Sequence, residues 1–487
     1  MADSHPGLGK HRPPAWGPSR AGREVRSATL RGPAAQRVTA LDILAFLAGV
    51  LVILVFSQGW LTAIAGDKAT TADSGLIRAM FFPAYAAAIG LVVLSPGETV
   101  RAWLRQPLLI ALMWIAALSV IWSVSPDQTL RRVVALVFTT MGGVVLGVRW
   151  RWAGLAEVIA TAFAILAVGS FASGLLLPGF GRMQELFPGA WRGLWVEKNT
   201  LASNMTIGFM VCAAAAILRP GRALLWSLSA ALCLLLVLLS TSKTSLVACL
   251  LGGCGLVLVA IMRRGPLGRL LGTYGAITAI VLLGMGLLVA SDVFLAVLGK
   301  DATLTGRTKI WAAVMRQIQE RPWQGYGYFA VWSDDSPWAP LARIIKQAGF
   351  KPEHAHNSWL EQWLGIGVFG LGAWALYFVE VWTRALIALY RSAGAYLAIP
   401  VLLVYSMTTL TESIALVFND ARWAIFIAIA VRLATPEQPP PPTATRPIFT
   451  RRANLSQGGP RIGPGPRSDP PFPAARQATG PTGLSLT

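Results

Sequence analysis

The sequence predicts an all-α, polytopic membrane protein of about 12 transmembrane helices, with one large extramembrane loop between the ninth and tenth spans. Three observations predict it. Hydrophobic residues make up 54% of the 487 positions against 13% charged, with mean hydropathy +0.57, too apolar for water to solvate as soluble domains. Uncharged stretches such as Ile43 to Ile64 and Leu271 to Ala290 match the roughly 20 residues a helix needs to cross a bilayer core. Basic residues recur between such stretches in a regular order.

Apolar runs bounded by charge or turn residues place spans near 43–64, 77–94, 107–124, 133–148, 154–177 and 201–218. Six more fall near 223–239, 244–262, 270–290, 359–379, 396–411 and 421–434. The first run is as long as a full span and begins some 40 residues in, which favours a retained anchor over a cleaved signal peptide. With a cytoplasmic amino terminus, every inner loop is basic: Arg101 and Arg105, Arg149 and Arg151, Arg219 and Arg222, Arg263, Arg264 and Arg269, then Arg384 and Arg391. An even number of spans leaves both termini cytoplasmic.

The formal net charge of +20 is therefore read as topology. No nucleic-acid motif accompanies it, and no nucleic-acid partner is expected. The expected organisation is a basic, disordered tail (1–40), a bundle of about nine spans (41–290), an outer loop (291–358), about three further spans (359–434) and a disordered Pro/Gly-rich tail (435–487). Cys212, Cys233, Cys249 and Cys254 lie in or beside apolar runs and read as packing residues, with no disulfide expected.

Three outer stretches carry the polar and aromatic inventory that chemistry would use: 178–200, the turn Ser240 to Ser245, and 291–358. In the last, Thr305 is a plausible cap for a helix with Ile310, Val314 and Ile318 on one face, ended by Pro322. Arg307 then falls in the first turn, where the helix dipole disfavours a cation unless an anion sits beside it. Trp311, Trp323, Tyr326 and Tyr328 suit packing, the bilayer interface or the flat faces of sugar rings.

His354 and His356 precede the tenth span, and the other two histidines, His5 and His11, lie in the amino-terminal tail. A base working near neutral pH would come from this pair. Their spacing alone also permits zinc with Glu353 or Asp335, but no further Cys or His completes such a set, so no metal is expected. Lys243 in the outer turn and Arg192 and Lys198 in 178–200 add cations suited to phosphate.

Trp122-Ser-Val-Ser-Pro126, Gly193-Leu-Trp-Val-Glu-Lys-Asn199, the Ser242–Lys243 turn, Gly306-Arg307 through Trp311, and His356-Asn357 occur in an order that resembles the O-antigen ligase and polymerase superfamily, within it the exopolysaccharide polymerases. The resemblance covers roughly 40–434. It implies a GT-C-like, metal-independent, inverting glycosyltransferase that takes a polyprenyl-diphosphate glycan on the periplasmic face and passes it to a glycan or lipid-core acceptor, without a cofactor. It implies catalytic roles for Arg307 and His356, with His354 as a second candidate, and diphosphate binding by Arg307, Lys243, Arg192 and Lys198. Members carry arginine where this chain has Lys243, which keeps the charge and loses the bidentate fork. Trp311, Trp323, Tyr326 and Tyr328 are the candidate glycan contacts. Chain-length regulators or export proteins are partners such an enzyme could meet. The rival reading is a multi-span transporter or lipid-linked glycan flippase, which Arg78, Glu157 and Glu361, inside or at the edges of predicted spans, would serve.

Overall fold

A computed structural model describes residues 39–66, 75–185, 187–289, 307–333 and 339–435. Residues 1–38 and 436–487 of the predicted tails, the cap Thr305, Asp335 and all of the predicted outer segment before Arg307 lie outside the described residues. In chain order the principal helices are α1 (Ala40–Phe56), α2 (Gly75–Leu94), α3 (Pro96–Leu104), α4 (Pro107–Trp122), α5 (Pro126–Arg149) and α6 (Trp152–Leu176). Next come α7 (Lys198–Leu218), α8 (Ala223–Leu239), α9 (Lys243–Met262) and α10 (Pro266–Val289). Then follow α11 (Arg307–Glu320), α12 (Pro340–Ala348), α13 (Ser358–Arg391), α14 (Ala395–Thr409) and α15 (Ala421–Ala434).

Each predicted span contains helix among the described residues, but the first, 43–64, is broken: α1 ends at Phe56 and Gln58 takes φ 59° before a short helix over Leu61–Ala65. Seven described helices are long and apolar enough to cross a membrane: α2, α5, α6, α7, α8, α9 and α13. An eighth is added if α3 and α4, bent by 86° at Arg105–Gln106, count as one. Helices α1 and α14, and Pro266–Leu282 of α10, are apolar but shorter. The protein is thus an all-helical membrane protein with seven to eight candidate spans by length and composition.

Helix α7 is central, with 72% of its most apolar stretch buried, whereas only 22% of that of α2 is. Helices α5 and α15 approach through Gly143-Val-Val-Leu-Gly147, a small-xxx-small face. A Cβ on Gly143 would lie 2.5 Å from the carbonyl oxygen of Ala424, and one on Gly147 equally close to that of Ala428. Only a bare backbone permits that contact.

A break in α13 positions the segment that carries α11 and α12. Gly367 leaves the helical region (φ 68°), so Val368 N–H donates to the Pro322 carbonyl, outside the helix. The turn Pro322-Trp-Gln-Gly-Tyr-Gly-Tyr328 docks on the freed backbone, its Tyr326 and Gly327 N–H groups donating to the carbonyls of Leu364 and Gly365. Gly325 and Gly327 have φ of 67° and 101°, and a Cβ on either would clash with backbone or Ser123. The other side of this turn meets Trp122 to Ser125: the Trp122 indole donates to the Gln324 carbonyl (2.7 Å) and Val124 N–H to that of Tyr326 (2.9 Å). On this platform α11 and α12 bury Ile310, Val314, Ile318 and Ile344 in a small core of their own.

Candidate active site

Short turns at 219–222 and 240–242 make α7, α8 and α9 run antiparallel. The starts of α7, α9, α11, α13 and α15 and the end of α14 therefore meet at one end of the bundle, where Ser242 bonds Asn199, and Ser358 bonds the backbone of Glu412. The other end gathers arginines: Arg219 and Arg222 hold Glu157, Arg149 pairs with Asp42, and Arg384 bonds Glu380 and Gln106.

At the first end, Arg307 and His356 are joined by a residue that lies between the last two predicted spans. Arg307 Nη2 is 2.6 Å from Glu412 Oε1, and His356 Nδ1 is 3.1 Å from Glu412 Oε2. The carboxylate thereby supplies the anion that an arginine in the first turn of α11 requires. Burial would raise the Glu412 pKa, but the hydrogen bond from His356 and the nearby positive charge of Arg307 outweigh it and hold it at about 2. An ionised carboxylate only accepts, so Nδ1 is the His356 nitrogen that donates to it, and Nε2 is the nitrogen on the other side of the ring.

The loops carrying these groups are tied to one another. Asn357 caps α13, its side chain accepting from the N–H groups of Trp359 and Leu360, and His356 just before it adopts φ 50°. The Ser358 hydroxyl donates to the Glu412 carbonyl (2.8 Å) and accepts from the N–H groups of Ile414 and Ala415. Buried Glu361 accepts from the Ala355 N–H (2.8 Å), the Ser413 hydroxyl (3.0 Å) and the Trp332 indole (2.5 Å). Glu361, which sequence alone left available to a transport role, is thus engaged in holding the two site loops together.

The His354 ring lies against that of His356, centroids 4.0 Å apart and tilted by 56°, and its Nδ1 accepts the His356 backbone N–H. Burial first, then the adjacent His356 and cations, lowers its pKa to about 3, which makes it a neutral neighbour. Ligand atoms of His354, His356 and Glu412 lie within 4.8 Å of one another, close enough for a cation. The set fits one poorly: His354 Nδ1 and both Glu412 oxygens already have hydrogen-bond partners, and the Arg307 guanidinium sits against the carboxylate.

Beside this trio, Arg307 and Glu412 line a cavity with Asn199 and Ser203 of α7, Ser242, Thr244 and Ser245 at the start of α9, and Thr408 and Thr411. Hydroxyl groups, a guanidinium and the starts of two long helices suit an anion. The other candidate cations stand differently. Lys243 begins α9 with an exposed side chain, while its neighbours on both sides line the cavity. Lys198 reaches the same turn, its Nζ 3.3 Å from the Thr241 hydroxyl and 3.6 Å from the Phe187 ring centre. Arg192 is 8% exposed and donates to the carbonyls of Phe180 and Val196, which makes it a brace for the 178–200 segment.

The aromatic candidates divide likewise. Tyr326 and Tyr328 are 2% and 0% exposed; their hydroxyls bond the carbonyls of Gln317 and Leu416. The Trp311 indole donates to the Ala355 carbonyl at 2.9 Å. Trp323 is 66% exposed, leaning on Phe369. Sequence reading missed Glu412, whose only signal is its place as a lone acid in the turn after Thr409. It also missed Asp420, which caps α15 and grips Arg422, whose Nη1 lies 3.4 Å from Ser203.

The chain is thus a polytopic helical membrane protein with a charged, imidazole-bearing site at one end of its bundle. Residues 228–375 match the family model described as O-Antigen ligase, a stretch that contains Lys243, Arg307 and His356. Over 198 residues the chain is 32% identical to the exopolysaccharide production protein ExoQ of Rhizobium meliloti, covering 37% of this chain and 43% of that protein. Over 347 residues it is 26% identical to an O-antigen ligase of Pseudomonas aeruginosa, covering 66% of this chain and 76% of the other. It spans less than half the length of the first relative and about three quarters of the second.

Proposed function

We propose that this protein is a membrane glycosyltransferase that polymerises or ligates polyprenyl-diphosphate-linked glycan repeat units at the periplasmic face of a bacterial inner membrane. The observation that carries the reading is the convergence of Arg307, His356 and Glu412 beside a hydroxyl-lined cavity. The similarity to an O-antigen ligase and to an exopolysaccharide production protein supports the substrate class. Twelve spans, with both termini cytoplasmic, bring the arginine-rich end inside and the site outside.

In the proposed reaction Arg307, with Lys243 at the rim, binds the lipid diphosphate and stabilises the charge that grows as the anomeric C–O bond breaks. His356 Nε2 accepts the proton of the acceptor hydroxyl, whose oxygen attacks the anomeric carbon from the opposite side. A glycosidic bond forms, the configuration inverts, and polyprenyl diphosphate leaves with the bonding electron pair. No metal is assigned a role, because both Glu412 oxygens and His356 Nδ1 already serve the Arg307–Glu412–His356 relay and His354 Nδ1 accepts a backbone N–H. His354 shields the pair from one side, and Trp323 offers the most open ring to a sugar.

Replacing Arg307 or His356 by Ala in a strain that depends on this protein tests the reading. Polymer or ligated glycan should disappear while the variant persists in the membrane at its usual level. Normal product in either strain would refute the assignment.

A further inference from the structure

Arg307 lines the cavity, and its guanidinium is engaged by Glu412 at 2.6 Å. Glu412 divides its two oxygens between Arg307 and His356. Its backbone is held by Ser358 and by its own N–H, which donates to the Thr408 carbonyl at 2.8 Å, so the carboxylate stays at the site when a partner leaves. Arg307 and Glu412 are 12% and 20% exposed, sheltered enough for the pair to matter and open enough for exchange. Glu412 lies outside the stretch that matches the ligase family model.

We propose that Glu412 is a positioning residue that occupies the donor's anion place in the empty enzyme and is displaced from Arg307 when the diphosphate arrives, keeping His356 as its remaining partner. The inference rests on the glycosyl-transfer reading above. The geometry makes the exchange directional. A diphosphate offers Arg307 more negative charge and a pair of oxygens matched to its fork, so it outcompetes one carboxylate oxygen. Glu412 then holds the imidazole with Nδ1–H bonded and Nε2 toward the acceptor, and offsets the positive charge that His356 gains when it takes the acceptor proton. An enzyme built this way keeps its arginine satisfied between turnovers and leaves Glu412 to His356 alone once the donor is seated.

A carboxylate with this double role has opposite effects on binding and turnover, which a merely structural residue would not. The test uses the full-length protein in lipid nanodiscs, with polyprenyl diphosphate as the binding probe and a polyprenyl-diphosphate oligosaccharide for turnover. Glu412→Gln should bind the probe about three- to tenfold more tightly, since a neutral amide competes poorly for Arg307. Its kcat should fall by about tenfold or more because the imidazole loses its charged partner. Glu412→Asp should recover part of kcat, and if the Gln variant does not fold, the Asp variant should show the same split at smaller size. Weaker probe binding together with lower kcat, or no change in either, would overturn the proposal. Should the wild-type protein fail to turn over the oligosaccharide, the glycosyl-transfer reading fails, while the probe still reports whether Glu412 and a diphosphate compete for Arg307.

Discussion

The indole N–H of Trp311 donates to the backbone carbonyl of Ala355, the residue between the two histidines, at 2.9 Å. Helix α11 thus delivers Arg307 from its first turn and, four residues on, grips the loop that carries His356. Trp311→Phe keeps the apolar ring and removes this hydrogen bond, at a cost of about 1 kcal/mol. The expected outcome is a folded protein whose kcat is several-fold lower with donor binding little changed, read by steady-state kinetics. Trp311 would then act on the reaction through the histidine loop, a different role from the sugar contact that its sequence position suggests.

Acid should destabilise the protein through two groups of the site. The native pKa of His354 is about 3 against 6.5 for a free histidine, so as pH falls below 6.5 only the unfolded chain takes up that proton and stability drops. Glu412, at about 2 against 4.5, adds a second loss as pH falls from 4.5 toward 2. Both contributions are fully present at pH 7. Thermal unfolding in detergent should show a melting temperature that declines from pH 6.5 downward, and His354→Gln should flatten the part of the decline above pH 4.5.

The approach of α5 to α15 rests on two glycines. Gly147→Ile places a branched side chain where a Cβ alone would lie 2.5 Å from the Ala428 carbonyl oxygen and 2.9 Å from Val431. Overpacking of this kind costs about 1–3 kcal/mol or more. A lower melting temperature and reduced membrane abundance are expected, whereas Gly253→Ala on α9, with open space around it, should change neither.

Much of this was legible in the sequence because hydropathy and the order of arginines are local signals. Each apolar run holds a helix among the described residues, although the first is broken after Phe56, and Arg307 and His356 meet through one side chain. Glu412 was not legible, because its partners lie 105 and 56 positions away and nothing in Thr409-Leu-Thr-Glu-Ser413 announces them. Tyr326 and Tyr328 could not be sorted either: a run of aromatics looks the same whether it faces a sugar or a core. What buries them is the glycine-rich turn clasping the break at Gly367, a contact between distant segments. Lys243 shows the same limit at smaller scale, since its position marks the right turn while its side chain's direction depends on how α9 begins.

Orientation has its own test. Lys351→Cys, in a Cys254→Ser background that removes the one exposed native thiol among the four, should react with a membrane-impermeant maleimide in intact spheroplasts. Arg264→Cys should react only after the membrane is opened. The reverse pattern would put the site on the cytoplasmic side and end the proposed use of a periplasmic donor.

The most direct measurement is the reaction itself: purified protein, a polyprenyl-diphosphate oligosaccharide and an acceptor, with released polyprenyl diphosphate and lengthened or lipid-linked glycan followed together. One lipid diphosphate should be released for each glycan transferred, with the new bond inverted and the product absent in Arg307→Ala and His356→Ala. Transfer at the wild-type rate by both variants, or no transfer by wild-type protein shown to be folded, would contradict it.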